Sequence, residues 1–233
     1  MRTTEFYPDN YYHLLNRGTD KRKIFIDNRD YRRFLVSLAV FNDRKSPPRH
    51  VGRFVKNFDI LNKSYKPDKR DKLIDIIAFT LLPNHFHFFV RERQNGGISL
   101  FMQKVCMGYS HYFNLRNDRT GTLWQRTFEA RHINDNSYFL HIMNYIHLNI
   151  LDLYYPEWRE GELKDWIRAE DKMRDYLWSS YGYYRTGKSK VPFMNLVLMK
   201  QDWFSEYFPE LEDFEKNLKI WSLRNISEYI NDL

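Results

Sequence analysis

The chain has 233 residues, of which 18% are aromatic and 29% charged, and a formal net charge of +7. This length is ample for a domain with its own core, and the aromatic content excludes a disordered protein. The basic charge favours a polyanionic partner, either nucleic acid or an anionic membrane surface. No apolar stretch approaches the roughly 20 residues that span a bilayer, and the first ten residues have no signal-peptide pattern. A single cysteine, Cys106, excludes an internal disulfide and a multi-cysteine zinc site. We therefore expect a cytoplasmic protein with no membrane partner.

The first part of the chain predicts a strand followed by a helix. Tyr11 to Asn16 is an aromatic and aliphatic run that ends at Arg17-Gly18, as a strand ends at a turn. Asp27 or Asn28 is a suitable helix cap. Apolar residues then recur at helical spacing until about Asn42, which indicates an amphipathic helix.

A basic excursion follows at about residues 44–72. Its lysines and arginines alternate with aromatic and aliphatic side chains, a composition that could bind a phosphate backbone. The alternative is a basic surface loop that only keeps the protein soluble. The DNA contacts that we predict here are Arg49, Arg53 and Lys56.

Two further predicted strands, Leu73 to Leu82 and His85 to Arg91, meet at a Pro83-Asn84 turn. Because side chains of a strand alternate between faces, His85 and His87 point to one side of the sheet. The opposite side is apolar and carries Phe86, Phe88 and Val90. Imidazole is the commonest metal ligand in proteins, so the histidine pair is half of a metal site, although such pairs also occur by chance. A site needs at least one further ligand.

The remaining elements complete a recognisable order. Ser99 can cap a second helix, Leu123 to Ile133 alternates as a fourth strand, and a cap within Asp135 to Ser137 begins a third helix that runs to about Leu153. Strand, helix, strand, strand, helix, strand is the order of the ferredoxin-like (RRM-like) α+β fold. We expect a four-stranded antiparallel sheet with helices on one face and the other face, with His85 and His87, free for a ligand.

The third helix offers what the histidine pair lacks. His141, Tyr145 and Asn149 are spaced by four residues and therefore share one face of this helix. The Tyr145 hydroxyl can attack phosphorus, and the Asn149 side chain offers an oxygen to a metal ion. Tyr145 by itself is more often a packing aromatic. Together with a His-x-His strand, these residues form a coherent phosphoryl-transfer site.

The residues after Pro156 differ in composition from those before. They are rich in tryptophan and tyrosine, and Asp202 to Leu233 is acidic and helical in pattern. We predict a catalytic domain at residues 1–155 and a mostly helical C-terminal extension at residues 156–233. The chain has no Walker-type loop, dinucleotide fingerprint or Gly-x-Ser-x-Gly elbow, so nucleotide-driven chemistry is not indicated.

Four short motifs occur in an order and spacing that resemble one family over about residues 8–155. They are Asn16-Arg17-Gly18, Leu82-Pro83-Asn84-His85-Phe86-His87, Gly121-Thr122-Leu123-Trp124-Gln125-Arg126 and Tyr145-Ile146-His147-Leu148-Asn149. These motifs resemble those of the IS200-like transposases. Within that family the chain is most similar to the branch associated with repetitive extragenic palindromes (REP), the single-tyrosine HUH enzymes, in which HUH denotes His, hydrophobic, His.

The resemblance implies an enzyme that uses Mg²⁺ or Mn²⁺ to cut and rejoin single-stranded DNA beside a hairpin, through a 5′-phosphotyrosine. Tyr145 matches the nucleophile, and His85, His87 and Asn149 match the metal ligands. Predicted DNA contacts outside the basic excursion are Asn16, Arg17, Arg126 and Arg131. Two features depart from the family pattern: Ile150 stands where a proline is common, and the basic excursion is longer than in compact members.

Several alternatives stay open from the sequence. A non-catalytic DNA- or RNA-binding module, such as a domesticated regulator, would keep the sheet and the basic surface without cutting. A replication initiator or relaxase would share the chemistry but commonly has further domains, and a small-molecule hydrolase is the weakest alternative. The chain could act as a monomer or a homodimer, and we expect it at the nucleoid. We expect structural or DNA-facing roles, rather than metal ligation, for His13, His132 and His141.

Overall fold

The computed structural model describes residues 4–45, 70–186, 208 and 210–226. Its four strands form one antiparallel sheet in the order β2-β3-β1-β4. The strands are β1 (Tyr11–Arg17), β2 (Ile74–Leu82), β3 (His85–Glu92) and β4 (Glu129–Ile133). Helix α1 (Asn28–Phe41) connects β1 to β2, and helix α2 (Gly97–Arg116) connects β3 to β4. This connectivity, with β1 and β3 in the centre, confirms the predicted ferredoxin-like α+β fold.

The elements after the sheet are helical. They are α3 (Asn136–Leu148), 3₁₀ helices at Asn149–Leu153 and Pro156–Glu160, α4 (Trp166–Asp175), α5 (Tyr181–Thr186) and α6 (Leu211–Ser222). A boundary at residue 155 remains a prediction. Most of the basic excursion, with Arg49, Arg53 and Lys56, lies outside the described residues. Within the described ranges, no helix is long and apolar enough to cross a bilayer.

Helices α1 and α2 pack on one face of the sheet. The side chains of β3 that face them are Phe86, Phe88 and Val90, all buried, as the strand periodicity predicts. Phe34 of α1 lies at the centre of this core, with its ring centroid 5.3 Å from that of Phe86 and 4.9 Å from that of Tyr109. This first core consists mainly of the two helices and the strands beneath them, and Trp178 of the extension also packs into it, with its ring centroid 4.7 Å from that of Tyr31.

The opposite face of the sheet is covered as well, and the expectation of a free face was wrong. Helix α3 and the C-terminal extension form a second core on it, in which the ring centroids of Phe89 and Phe139 are 4.6 Å apart. Phe214 and Trp221 of α6 belong to the same core. The cover has a physical reason, because Ile77, Ala78 and Phe89 make this face apolar and its exposure would be unfavourable.

Three element boundaries differ from the predicted ones. Helix α2 begins at Gly97 with Gly96 as its N-cap, at φ 74°, so Ser99 lies inside the first turn and does not cap. A Cβ at Gly97 would lie 2.3 Å from the Leu73 carbonyl oxygen, which explains the glycine there. Strand β4 starts six residues later than predicted, because residues 123–128 form a loop that bridges to β1 through Gly18 and Trp124. The α-helical part of α3 ends at Leu148, and the 3₁₀ helix continues it to Leu153.

Asn42 joins the end of α1 to the start of β2. Its Nδ2 donates to the Ile74 carbonyl oxygen at 2.8 Å. Its Oδ1 accepts from the backbone nitrogens of Leu73 at 3.1 Å and Ile74 at 3.0 Å. These bonds satisfy backbone groups where the basic excursion returns to the sheet, so that β2 starts in register.

Asn42→Ala should therefore lower the free energy of unfolding by about 1–3 kcal/mol, because it leaves buried backbone groups without partners. Urea denaturation measures the change. The matched control is Asn28→Ala at the exposed first residue of the same helix, which should change stability by no more than about 0.5 kcal/mol. Equal effects of the two substitutions would contradict the role of Asn42.

Candidate active site

The pairing of β1 with β3 sets which side chains share the second face of the sheet. Arg17 pairs with His85, Leu15 with His87, and His13 with Phe89. Cross-strand partners point to the same face, so His13 and Arg17 lie on the face of the histidine pair. The prediction that His85 and His87 share a face is confirmed, since their ring centroids are 5.0 Å apart.

Each of the two histidines has a hydrogen-bond partner at Nδ1. His85 Nδ1 lies 2.6 Å from Asn84 Oδ1, and because an amide oxygen only accepts, this nitrogen carries the hydrogen. The lone pair of His85 Nε2 is therefore available. His87 Nδ1 lies 2.9 Å from His13 Nε2, and when His87 donates in this bond its Nε2 lone pair is available too. Such partners orient the rings of metal-binding histidines.

The sequence left open whether His13 enters the site, and the structure places it there as the hydrogen-bond partner of His87. It is buried and stacks on His87 with ring centroids 5.1 Å apart. The signal was present in the alternation of β1, which places His13 and Arg17 on one face, but without the register of β1 against β3 that face could not be assigned. His132 lies on the opposite face, bonded to Asn10 and packed on Tyr12. His141 packs against Trp221.

The histidines of the site are held in the neutral form. Burial lowers the pKa of His85 to about 4, and the nearby charge of Arg17 contributes. Burial also lowers the pKa of His13 to about 3 and that of His87 well below its ordinary value. Neutral imidazole is the form that binds a metal ion, so these residues need no deprotonation step at neutral pH.

Helix α3 places Tyr145 against the histidine pair. Asp135 caps the helix by accepting a hydrogen bond from the Tyr138 backbone nitrogen at 2.7 Å. The Tyr145 ring meets His87 edge-on, with centroids 5.5 Å apart, and its centroid is 6.1 Å from that of His13. Tyr145 is buried in the second core, so packing fixes the orientation of the ring.

Asn149 begins the 3₁₀ helix one turn after Tyr145. Its Nδ2 donates to the Tyr145 carbonyl oxygen at 2.7 Å, and its Oδ1 accepts from Arg159 Nη2 at 3.2 Å. His85 and His87 thus lie on β3, Tyr145 on α3, and Asn149 on the 3₁₀ helix that continues α3. The Tyr145 ring is in contact with the His87 ring.

Arg159 and Asp152 are further residues that sequence reasoning missed. The guanidinium binds Asp152 at two points, from Nε to Oδ1 at 2.8 Å and from Nη2 to Oδ2 at 2.5 Å. Its central carbon lies 5.7 Å from the Tyr145 ring centroid. No pattern in the sequence pointed to this contact, because Arg159 comes from the short 3₁₀ helix at the start of the predicted extension.

A comparison with known protein families finds a match that includes these residues. The model of the family described as "Transposase IS200 like" matches residues 53–149, which include His85, His87, Tyr145 and Asn149. This part of the chain is similar to the IS200-like transposases. The match agrees with the predicted resemblance, although it is shorter than the predicted range of 8–155 and does not include β1.

One solved structure similar to this chain is that of a REP-associated tyrosine transposase bound to a REP hairpin. The likeness covers 86% of this chain and 91% of that chain, with 12% sequence identity and a TM-score of 0.49. A search of curated proteins found no match.

The donor atoms of the candidate site can be compared with those that a divalent metal ion requires. In the described parts of the chain, no group of three or more His, Cys, Asp or Glu side chains could hold a metal. The predicted set differs from such a group, because it combines two imidazoles with the amide oxygen of Asn149. Both kinds of atom are suitable ligands when neutral. Asn149 Oδ1 accepts one hydrogen bond, from Arg159, and its second lone pair would be the one to hold a metal ion.

The predicted DNA contacts are distributed over two regions. Arg17 lies beside His85, and Arg131 pairs with His13 across β1 and β4, so both are on the face of the site. Arg126 is exposed in the loop before β4, where it meets Glu129 at 3.3 Å. Asn16 is buried and donates to the Arg126 carbonyl oxygen at 3.1 Å, so it holds this loop against β1.

A cavity of about 1090 Å³ lies between α2 and the loop of residues 121–128. Asn16, Met102, Cys106, Trp124 and Arg126 are among its lining residues. None of its lining residues is His85, His87 or Tyr145, so this cavity is distinct from the site on the second face.

The buried histidines should make the stability depend on pH. The unfolded chain takes up protons below about pH 6.5, whereas His13 in the folded protein stays neutral until the pH nears about 3. In a chelating buffer, the free energy of unfolding should therefore fall as the pH is lowered from about 7 to about 5, by up to about 2 kcal/mol for each such histidine.

Urea denaturation across this pH range measures the dependence. His13→Gln should reduce the decrease in the free energy of unfolding between these pH values. His111→Gln, at an exposed position of α2, should leave that decrease unchanged. A wild-type stability that is constant between these pH values would contradict the neutral state of the buried histidines.

Proposed function

We propose that the chain is a metal-dependent endonuclease and strand transferase that cuts and rejoins single-stranded DNA beside hairpin or palindromic elements. The observation that carries this proposal is the contact of the Tyr145 ring with His87, at a centroid distance of 5.5 Å, in a segment that matches the IS200-like transposase model. A nucleophilic hydroxyl next to a pair of neutral imidazoles is an arrangement suited to phosphoryl transfer.

Tyr145 is the nucleophile in this proposal. Its hydroxyl oxygen forms a bond to the scissile phosphorus, and the bond from phosphorus to the 3′ oxygen breaks. The 5′ end is left on Tyr145 as a phosphotyrosine, and the phenol proton is balanced by the proton on the released 3′ hydroxyl. Because one phosphodiester replaces another, a second 3′ hydroxyl can reverse the step without a nucleotide cofactor. The chain indeed carries no nucleotide-binding motif.

The residues proposed to hold the divalent ion are His85, His87 and Asn149, and Mg²⁺ or Mn²⁺ is the proposed ion. When bound, the ion supplies charge neutralisation at a non-bridging phosphate oxygen. The neighbouring residues prepare the ligands, since Asn84 and His13 orient the two imidazoles and burial keeps them neutral. Packing of the Tyr145 ring in the second core limits its motion relative to the histidines.

The proposed partner is single-stranded DNA that folds into a hairpin. The net charge of +7 and the position of Arg17 and Arg131 on the face of the site support a polyanionic partner. We propose that one chain forms a complete site, because Tyr145 meets the histidines of its own chain, so a monomer would suffice. Such a protein would act in the cytoplasm, at the nucleoid.

Tyr145→Phe should abolish both cleavage and the covalent adduct and leave hairpin binding within about twofold, because it removes only the nucleophilic oxygen. The substrates are single-stranded oligonucleotides from the flanks of the chain's own gene, incubated with Mn²⁺. Denaturing gels report the cleaved strand and the protein-linked product.

The matched control is Tyr154→Phe, at an exposed tyrosine that ends the 3₁₀ helix begun by Asn149, which should cleave like the wild type. Undiminished cleavage by Tyr145→Phe would contradict the mechanism. Tight hairpin binding by a wild-type protein that never cleaves would instead favour the alternative of a non-catalytic binding module.

His85→Ala and His87→Ala should each weaken Mn²⁺ binding and lower the cleavage rate by at least about a hundredfold, since each removes a proposed ligand. Calorimetric titration with Mn²⁺ in the absence of DNA measures the first effect independently of activity. His111→Ala, on the exposed surface of α2, serves as the control. Cleavage that persists in excess chelator would rule out the role of the metal.

A further inference from the structure

The guanidinium of Arg159 is held rigidly beside the proposed nucleophile. Asp152 fixes it through two hydrogen bonds, and Trp158 supports both partners. The Trp158 indole nitrogen donates to Asp152 Oδ1 at 2.8 Å, and the Trp158 ring centroid lies 5.5 Å from the guanidinium carbon. Trp158 is fully buried in the second core, so this cation is preorganised by packing and does not depend on a mobile surface side chain.

The charge of Arg159 acts on the site. Burial would lower the pKa of Arg159, but the hydrogen bond to Asp152, the charge of that carboxylate and the contact with Tyr145 outweigh this effect and raise the pKa. Arg159 also contributes to the lowered pKa of His85 and His87. It is therefore a permanent positive charge within interaction range of the nucleophile and of both histidines.

Arg17 brings a second cation to the same place from the other side. It is the cross-strand partner of His85, so its side chain starts on the face of the site. Arg17 makes no ion pair with the residues that the structure describes. A half-buried arginine without a carboxylate is suited to receive an anion from outside the protein.

We propose that Arg159 and Arg17 form an anion-binding site for the phosphodiester that Tyr145 attacks. Arg159 binds a non-bridging oxygen on the side of the nucleophile, and Arg17 binds the phosphate from the side of His85. This inference rests on the proposed function and adds to it, because it assigns the charge on the phosphate to two arginines as well as to a metal ion.

The chemistry of the guanidinium suits this role. Its several N–H donors exceed those used by Asp152, so it keeps donors for a phosphate oxygen while the salt bridge is intact. Fixed donors next to developing charge stabilise a transition state without reorganisation. Attack by Tyr145 makes and breaks bonds at the phosphorus between these cations, and neither arginine gains or loses a proton in the step.

One consequence concerns the C-terminal extension. Arg159 lies after residue 155, and its carbonyl oxygen accepts a hydrogen bond from the Ile226 backbone nitrogen at 2.9 Å. The extension is therefore proposed to supply a catalytic side chain, in addition to the cover that it forms over the second face.

The test measures binding of the phosphate without cleavage. Full-length protein with Tyr145→Phe is titrated in excess chelator with a hairpin oligonucleotide that the wild type cleaves, and with the same strand carrying a neutral methylphosphonate at the cleaved linkage. The neutral linkage should weaken binding by about tenfold when the arginines contact this phosphate. The quantity compared is the ratio of the two dissociation constants, that of the neutral strand divided by that of the unmodified strand. Arg159→Gln in the same background should reduce this ratio to about one, and Arg17→Gln should reduce it to about three.

The ratio is taken within each protein, so a general loss of affinity or stability cancels. Arg168→Gln, at an exposed arginine of α4, is the matched control and should keep the tenfold ratio. Arg159→Lys keeps the charge and should keep part of the ratio, which provides a second variant should the glutamine variant fail to fold.

A ratio that is unchanged in the folded Arg159 variants would overturn the inference and leave the proposed function intact. The proposed function fails separately if the wild type cleaves none of the oligonucleotides, and the inference then fails with it.

Discussion

The packing of helix α3 against the second face of the sheet is the contact on which the candidate active site depends. It brings Tyr145 from one element to His87 of another, and the aromatic contact of Phe89 with Phe139 fixes the distance between these elements. The same packing buries the histidines and thereby keeps them neutral. Apolar burial thus both positions Tyr145 against His87 and keeps the histidines neutral.

Much of the fold was predictable because local periodicity determines it. The alternation in β3 correctly assigned Phe86 and His87 to opposite faces, and the caps at Asp27 and Asp135 were recognisable from residue type. The element boundaries that were predicted wrongly depend on backbone conformation. The start of α2 requires the left-handed Gly96, and the late start of β4 follows from the bridge between Gly18 and Trp124, neither of which leaves a periodic signal.

The site was only partly predictable for a related reason. Tyr145 and Asn149 share a helix face, and His85 and His87 share a strand face, so spacing alone could find both pairs. His13 and Arg159 enter through strand register and through packing of the extension, which sequence spacing does not encode. The expectation of a free face was wrong because Ile77 and Ala78 of β2 are apolar on that face, and apolar side chains favour burial under another element.

Alternate residues of strand β3 face the two sides of the sheet. Those that pack in the first core are therefore different from those proposed to take part in the reaction. Phe86 and Phe88 belong to the core under α1 and α2, whereas the groups proposed to react lie on the other side of the same strand. Substitutions at His85 or His87 leave the first core untouched. In a protein with the proposed function, one substitution at either histidine would therefore abolish strand cutting and leave the folded sheet and its basic surface in place. Conversion from a mobile-element enzyme to a host regulator would then be a short evolutionary step.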